Sequence, residues 1–316
     1  MNVEKLVSDY YKSYEYKQLR DETKKQYQYF IDAMLNTKCH SVTNGGGETL
    51  LRQVKCKDVT TKMAKTAYND WCERGIPTAN HIMACARIVF SHGMREELCL
   101  TNPFSVVQKR ASERRKVLWG REDVQRFLDV AYSDFNTRNI GLIAHMAYEW
   151  CQRLGDMRVL QWDNIDFDTQ TVHIEQSKRR ADVHLPISDE LCEMLKQQEE
   201  DFGFQPYVAP SPFAVKGAFK PYTIKSLPTY GRKIMDKAGL SRELRLSDLR
   251  RTGTTEMVEA GVGIGQIMSV TGHANPQSVQ PYIKNTLSSA NYALTERNNH
   301  AKSITSAAKE SDIIHE

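Results

Sequence analysis

Arg153, Lys178, Arg250 and His273 follow one another along a 316-residue chain, and Tyr282 comes nine residues after the histidine. Guanidinium groups are always charged and donate in a fork that matches an anionic oxygen pair. Lysine and histidine can hand over a hydrogen bond or a proton, and a phenol can serve as a covalent nucleophile. Each of these residues, taken singly, also has an ordinary reading. The chain has 14 tyrosines. His273 after Gly272 fits a helix end whose last carbonyls are bound by the ring. Arg250-Arg251 fits a solvated helix face, and Lys178-Arg179-Arg180 fits a charged hairpin tip that keeps a sheet edge soluble. Weight comes from their order and from the elements beneath them.

The segment Cys151 to Trp162 puts Arg153 at the start of a helix whose Leu154, Met157 and Leu160 face inward, so the arginine sits against a core. Thr171 to Gln176 and Val183 to Ile187 alternate apolar with polar residues around a polar turn, which predicts a β-hairpin with Lys178, Arg179 and Arg180 at its tip. The run Leu246 to Thr252 opens another helix and carries Ser247 and Arg250. Upstream, Val124, Phe127, Leu128 and Tyr132 predict one helix, and Ile143, Met146, Ala147 and Trp150 another. Helices resume at Ser188, and little strand-like sequence lies between Tyr230 and Tyr282. This part reads as mainly α with a small antiparallel β-sheet.

The first hundred residues read differently. Four helical patterns (Val3 to Tyr10, Tyr27 to Leu35, Ala64 to Trp71 and Ile82 to Phe90) predict an all-helical domain over 1–108. Asn44-Gly45-Gly46-Gly47 lacks the Lys-Ser/Thr of a phosphate loop and reads as a turn, as does Gly261 to Gly265. Lys109, Arg110, Arg114, Arg115 and Lys116, interrupted only by Glu113 among the charges, suggest a basic linker over 109–118, next to a polyanion. A domain over 119–287 and a polar, fraying segment over 288–316 complete the layout.

The formal net charge of +4 is too mild to argue for nucleic acid by itself. Seven cysteines without a C-x-x-C pair suggest neither a zinc site nor a redox motif and read as reduced thiols of a cytoplasmic protein. No apolar run approaches the roughly 18 residues of a membrane span.

The ordered set resembles the tyrosine recombinase family, the phage lambda-type integrases. That pattern has an arginine followed by an acid at a helix start, a hairpin lysine, H-x-x-R, G-H, and a tyrosine nine residues beyond. Arg153 with Asp156 is similar to the first arginine and its acid. Lys178 is similar to the hairpin lysine, and Glu175-Gln176-Ser177-Lys178 followed by Pro186 matches the family hairpin in register. Arg250 is similar to the second arginine, His273 to the G-H histidine and Tyr282 to the nucleophile. The match covers roughly Trp119 to Tyr282, and the helical first domain fits the family's core-binding domain by layout.

The resemblance implies cleavage of double-stranded DNA through a 3′-phosphotyrosine. Arg153, Arg250 and His273 would hold the non-bridging oxygens, and Lys178 would protonate the 5′ oxygen. Because the bond to Tyr282 keeps the phosphoester energy, no metal, ATP or other cofactor is required. It also implies a homo-tetramer on two DNA sites, integration or excision of a phage or mobile element, and accessory DNA-bending or directionality proteins. The segment with Tyr292, Ala293 and Leu294 would pack on a neighbouring protomer. The start at Met1 leaves little room for an arm-binding domain. Two departures stand out: Ser247 occupies the place of the H-x-x-R histidine, and Pro281 directly precedes Tyr282, which predicts a bent segment there.

Rival readings are a type IB topoisomerase with the same groups, a chromosome-dimer resolving enzyme, or a DNA-binding factor that has lost catalysis. A metal-dependent nuclease needs clustered carboxylates, and the densest acidic run, Glu199-Glu200-Asp201, reads as a solvated helix end.

Overall fold

The computed structural model describes residues 1–40, 47–113, 115–178, 180–212, 217–283 and 290–302. It divides into two compact units, Met1–Arg115 and Lys116–Glu316, a division falling inside the basic stretch 109–118.

The first unit contains α1 (Val3–Lys12), α2 (Tyr14–Lys17), α3 (Asp21–Leu35), β1 (Lys38–His40), β2 (Glu48–Leu50), α4 (Thr61–Glu73) and α5 (Ile76–Arg95). The apolar stripes of the four longer helices meet in one core. Leu6, Ile31, Met34, Trp71, Ile82, Met83 and Phe90 are all buried there. Asn2 and Thr60 cap α1 and α4 by accepting from backbone N–H groups that have no partner within the helix. Pro77 starts α5, where its missing N–H costs nothing.

The expectation of an all-helical first domain is corrected by β1 and β2, which pair antiparallel from Lys38↔Leu50 to His40↔Glu48. Three-residue strands are too short to show alternation against a helical background, so pattern reading passed over them. Of the glycine turn, Asn44, Gly45 and Gly46 lie outside the described residues. The start of the expected linker is also corrected. The backbone N–H of Arg110 donates to the Tyr68 hydroxyl, its carbonyl accepts from Asn80, and its guanidinium donates to Asn69.

The second unit contains α6 (Arg121–Tyr132), α7 (Phe135–Glu149), α8 (Leu154–Met157), β3 (Ile165–Asp166), β4 (Thr171–Glu175), β5 (Asp182–Pro186), α9 (Asp189–Phe202), α10 (Ser226–Lys237), α11 (Leu249–Glu259) and α12 (Ile264–Thr271). Residues 290–302 are helical and exposed. The sheet runs β3-β4-β5, antiparallel throughout. Val172 opposite Leu185 and Ile174 opposite Val183 turn one face into the core, where they join Phe127, Ile143, Met146, Met157 and Leu249. Mainly helical architecture with a small antiparallel sheet is therefore what the chain adopts. All seven cysteines are free thiols. Among the described residues, no helix is long and apolar enough to cross a membrane.

Candidate active site

The site is built where three helix ends and the hairpin converge. Helix α7 finishes in a two-bond cap: Cys151 takes a left-handed conformation (φ +51°), its N–H donates to the Tyr148 carbonyl, and the Gln152 N–H reaches back to Ala147. This reversal delivers Gln152 into the interior and Arg153 to the N-terminal end of the single-turn α8. Helix α11 approaches the same corner closely. A side chain on Gly253 would fall within 2.7 Å of both the Tyr148 carbonyl oxygen and the Cys151 sulfur, so only glycine allows this packing. Arg250, one turn earlier, is thereby carried inward and is 9 % exposed.

Two buried glutamines join the arginines. Arg153 donates to Gln176 Oε1 at 2.8 Å, Gln176 Nε2 donates to Gln152 Oε1 at 2.7 Å, and Arg250 Nη1 lies 3.4 Å from the same Gln152 oxygen. Gln152 Nε2 donates to the Trp150 and Val270 carbonyls, and Gln176 Nε2 also donates to the Thr271 carbonyl. Carbonyls only accept, which fixes the orientation of both amides. The guanidiniums are thus held by neutral acceptors that position them without cancelling their charge.

Among the described residues, Asp156 is the carboxylate placed beside the arginines. Its Oδ2 is 3.8 Å from Arg153, while Oδ1 accepts from the Ser177 N–H and hydroxyl at 3.2 and 2.5 Å. Burial, reinforced by the neighbouring Arg153, lowers the Arg250 pKa to about 10. It remains cationic at neutral pH. Two confined, incompletely neutralised cations make a place that favours an anion.

Arg153, Ser247 and Arg250 line one cleft of about 320 Å³, whose other wall includes Leu154, Ile224, Leu227 and Pro228. Gly272 ends α12 in the left-handed conformation (φ +65°), and a Cβ there would come within 2.4 Å of the Gln176 amide. The glycine of the G-H pair is required on both counts. His273 follows, with Nε2 3.4 Å from Arg250 Nη2 and Nδ1 2.7 Å from the Thr271 hydroxyl. Tyr282 ends the second of two 3₁₀ turns, Pro276–Ser278, which starts with a proline, and Gln280–Tyr282, which carries Pro281 at its middle position. The bend expected from Pro281 is present. The Tyr282 ring centroid is 6.0 Å from that of His273, and the Arg251 guanidinium lies 6.0 Å from the same tyrosine ring.

Arg153, Arg250, His273 and Tyr282 are therefore neighbours, and Ser247 shares the cleft lined by the two arginines. Lys178 is exposed in the hairpin turn and, among the described residues, forms no hydrogen bond or ion pair. It is tethered nonetheless, because Gln176 is bonded to Arg153 and Ser177 to Asp156. Two residues of chain span at most about 7 Å. Arg180 is exposed in the same turn with φ +50°. Arg114 and Arg179 lie outside the described residues. Lys109 belongs with the first unit, where partial burial and Arg87 hold its ammonium below the usual lysine range. Arg115 is half-buried and Lys116 exposed.

Sequence reading missed Gln152, Gln176 and Thr271 as site residues. Gln176 carried a signal: it continues the inward parity of Val172 and Ile174. Thr271 lies four residues after buried Ile267, on the same helix face. Gln152 had none, since its burial depends on the cap at Cys151.

A sequence model of the phage integrase family matches residues 120–288, more than half of the chain. The chain belongs to the phage integrase family, the tyrosine recombinases. This family member is 20% identical over 198 residues to a tyrosine recombinase XerC of Pediococcus pentosaceus, covering 60% of the chain and 65% of that protein. It is 26% identical over 153 residues to the integrase of Salmonella phage P22, covering 46% of the chain and 38% of that integrase. The chain thus spans less than two thirds of the curated relatives it matches. Its fold is similar to that of a lambda integrase dimer bound to a core site, at a TM-score of 0.70 and 18% identity over 90% of this chain and 78% of that one. It is also similar to the Tn1549 transposon integrase in complex with a circular intermediate DNA, at 0.73 and 14% identity over 94% and 99%.

Proposed function

We propose that this protein is a site-specific DNA recombinase that cleaves and rejoins duplex DNA through a 3′-phosphotyrosine at Tyr282, serving the integration or excision of a phage or mobile element. The observation that carries the reading is the convergence of Arg250, His273 and Tyr282 beside a cleft also lined by Arg153, in a chain of the phage integrase family.

Attack on a phosphodiester builds negative charge on the non-bridging oxygens. Arg153 and Arg250, already oriented by Gln176 and Gln152, neutralise it with no reorganisation at the moment of reaction. The Tyr282 oxygen bonds to phosphorus as the bond to the 5′ oxygen breaks, and Lys178 protonates that oxygen. Reversal by a 5′-hydroxyl of another strand completes rejoining. Ser247 adds a hydroxyl at the cleft where the family pattern has a histidine. The first unit would grip the duplex together with the basic stretch containing Lys109, Arg110, Arg114, Arg115 and Lys116, and Arg179 and Arg180 would contact the backbone near the tip. Solved relatives include a lambda integrase tetramer bound to a Holliday junction, which supports a homo-tetramer on two sites for this chain as well. Accessory DNA-bending proteins and a cytoplasmic location belong to the same reading.

The test incubates the protein with nicked suicide DNA sites in EDTA and looks for a protein band carrying DNA. A covalent adduct with wild type that is lost in Tyr282→Phe is expected. Absence of an adduct on the DNA site the protein binds would overturn the reading, and an adduct persisting in Tyr282→Phe would displace the nucleophile.

A further inference from the structure

Ser247 leaves the nucleophile without the histidine that the family pattern places three residues before Arg250, and the hydrogen bonds around His273 identify what replaces it. The Thr271 hydroxyl is fully buried and donates its only proton to the Ile267 carbonyl at 2.7 Å. Its 2.7 Å contact with His273 Nδ1 must then be made by a ring N–H donating to the threonine oxygen. The other side of the ring agrees. Nε2 faces Arg250 Nη2 at 3.4 Å, and a guanidinium can only donate. Both contacts select the same form of the imidazole, with the proton on Nδ1 and the lone pair on Nε2.

We infer that Thr271 is a positioning residue that sets His273 as the proton acceptor for Tyr282; this rests on the recombinase reading above. In the step, the Tyr282 hydroxyl proton passes to His273 Nε2 as the phenol oxygen bonds to phosphorus and the 5′ oxygen leaves, taking its proton from Lys178. The ring is then an imidazolium, and its new Nε2–H donates to the non-bridging oxygens beside the two guanidiniums. On rejoining, Nε2 returns the proton to the departing phenolate, and the 5′-hydroxyl returns its own to Lys178. Among the described residues, charged groups facing the pair include Arg250 beside Nε2, Arg153 behind Arg250, and Arg251 over the Tyr282 ring. All three are cations.

Thr271→Val keeps the shape of the side chain and removes the acceptor at Nδ1, and Thr271→Ser keeps the acceptor. Three measurements test the inference. In single-turnover cleavage of a suicide site with DNA binding measured separately, Thr271→Val is expected to lose about tenfold or more in rate, up to the roughly 10²- to 10⁴-fold that a positioned acid or base supplies. The loss should shrink as pH rises and hydroxide supplants the ring, and Thr271→Ser should recover most of it. Nitrogen NMR of the DNA-free protein, with the His273 signal identified by its absence in His273→Gln, should show a bare Nε2 in wild type and mixed tautomers in Thr271→Val. A bare Nδ1 in wild type overturns the inference, as does a Thr271→Val rate and pH profile equal to wild type. A wild type that forms no adduct overturns the recombinase reading, and the proton-transfer role with it, whereas an adduct with an unaltered Thr271→Val profile overturns this inference alone.

Discussion

The two sets of cations on the second unit are held in opposite ways. Arg153 and Arg250 are fixed by buried glutamine amides and main-chain carbonyls, and burial lowers the Arg250 pKa to about 10. Lys178 and Arg180 stand exposed on a turn whose base alone is anchored, through Gln176 and Ser177. The first arrangement costs folding energy to keep charge oriented before substrate arrives. The second costs little and leaves reach. A group that must meet charge where it develops gains from being fixed, and a proton donor that follows a leaving group gains from moving.

The sharpest way to break this contrast is to remove one member of each set. Arg250→Ala is expected to lower single-turnover cleavage about 10²- to 10³-fold and to shift thermal unfolding, because Gln152 and the Thr271 carbonyl lose a partner. Lys178→Ala should also slow cleavage, by about 10²-fold, yet leave stability within about 0.5 kcal/mol. Substrate with a 5′-thio leaving group, which needs no proton, should restore the Lys178→Ala rate and leave Arg250→Ala slow. Equal restoration of both would erase the distinction.

Gly272→Ala tests the rigid side alone. The left-handed backbone and the Gln176 amide in the way predict a loss of about 1–3 kcal/mol, read in denaturant melts. Arg250→Lys sharpens the same point through pH. Wild-type Arg250 stays protonated well above neutrality, so its charge is constant from pH 7 to 9. Burial also lowers a lysine, from an ordinary value of about 10.4, so the substituted ammonium loses its proton as pH rises. Cleavage by Arg250→Lys should therefore fall across pH 7 to 9 relative to wild type. The smallest effect is expected at Arg180→Ala, within about 0.5 kcal/mol in stability, with DNA affinity reduced and its salt dependence lessened.

The helices of both units were legible because each buries one face, so Leu6, Ile31, Trp71 and Phe90, or Phe127, Ile143 and Met146, recur at helical spacing. The hairpin was legible from the two-residue period of Val172, Ile174, Val183 and Leu185. The short pair β1 and β2 was not, since three residues are less than two periods of any pattern. Likewise Arg110 looked like linker, because its bonds to Tyr68, Asn80 and Asn69 reach back 30 to 42 residues.

For the site, the sequence by itself determined the chemical types and their order: Arg153, Lys178, Arg250, His273 and Tyr282, with Ser247 and Pro281 as departures. Side-chain chemistry and spacing along the chain are local properties, which a sequence states outright. The tertiary structure alone decided that Gln152 and Gln176 join the arginines, that Gly272 lies against the Gln176 amide, and that the Thr271 hydroxyl meets the His273 ring. Those assignments depend on which donors find which acceptors once burial has removed water. The partners of Gln152 at Val270 and of Gln176 at Thr271 lie 118 and 95 residues away along the chain.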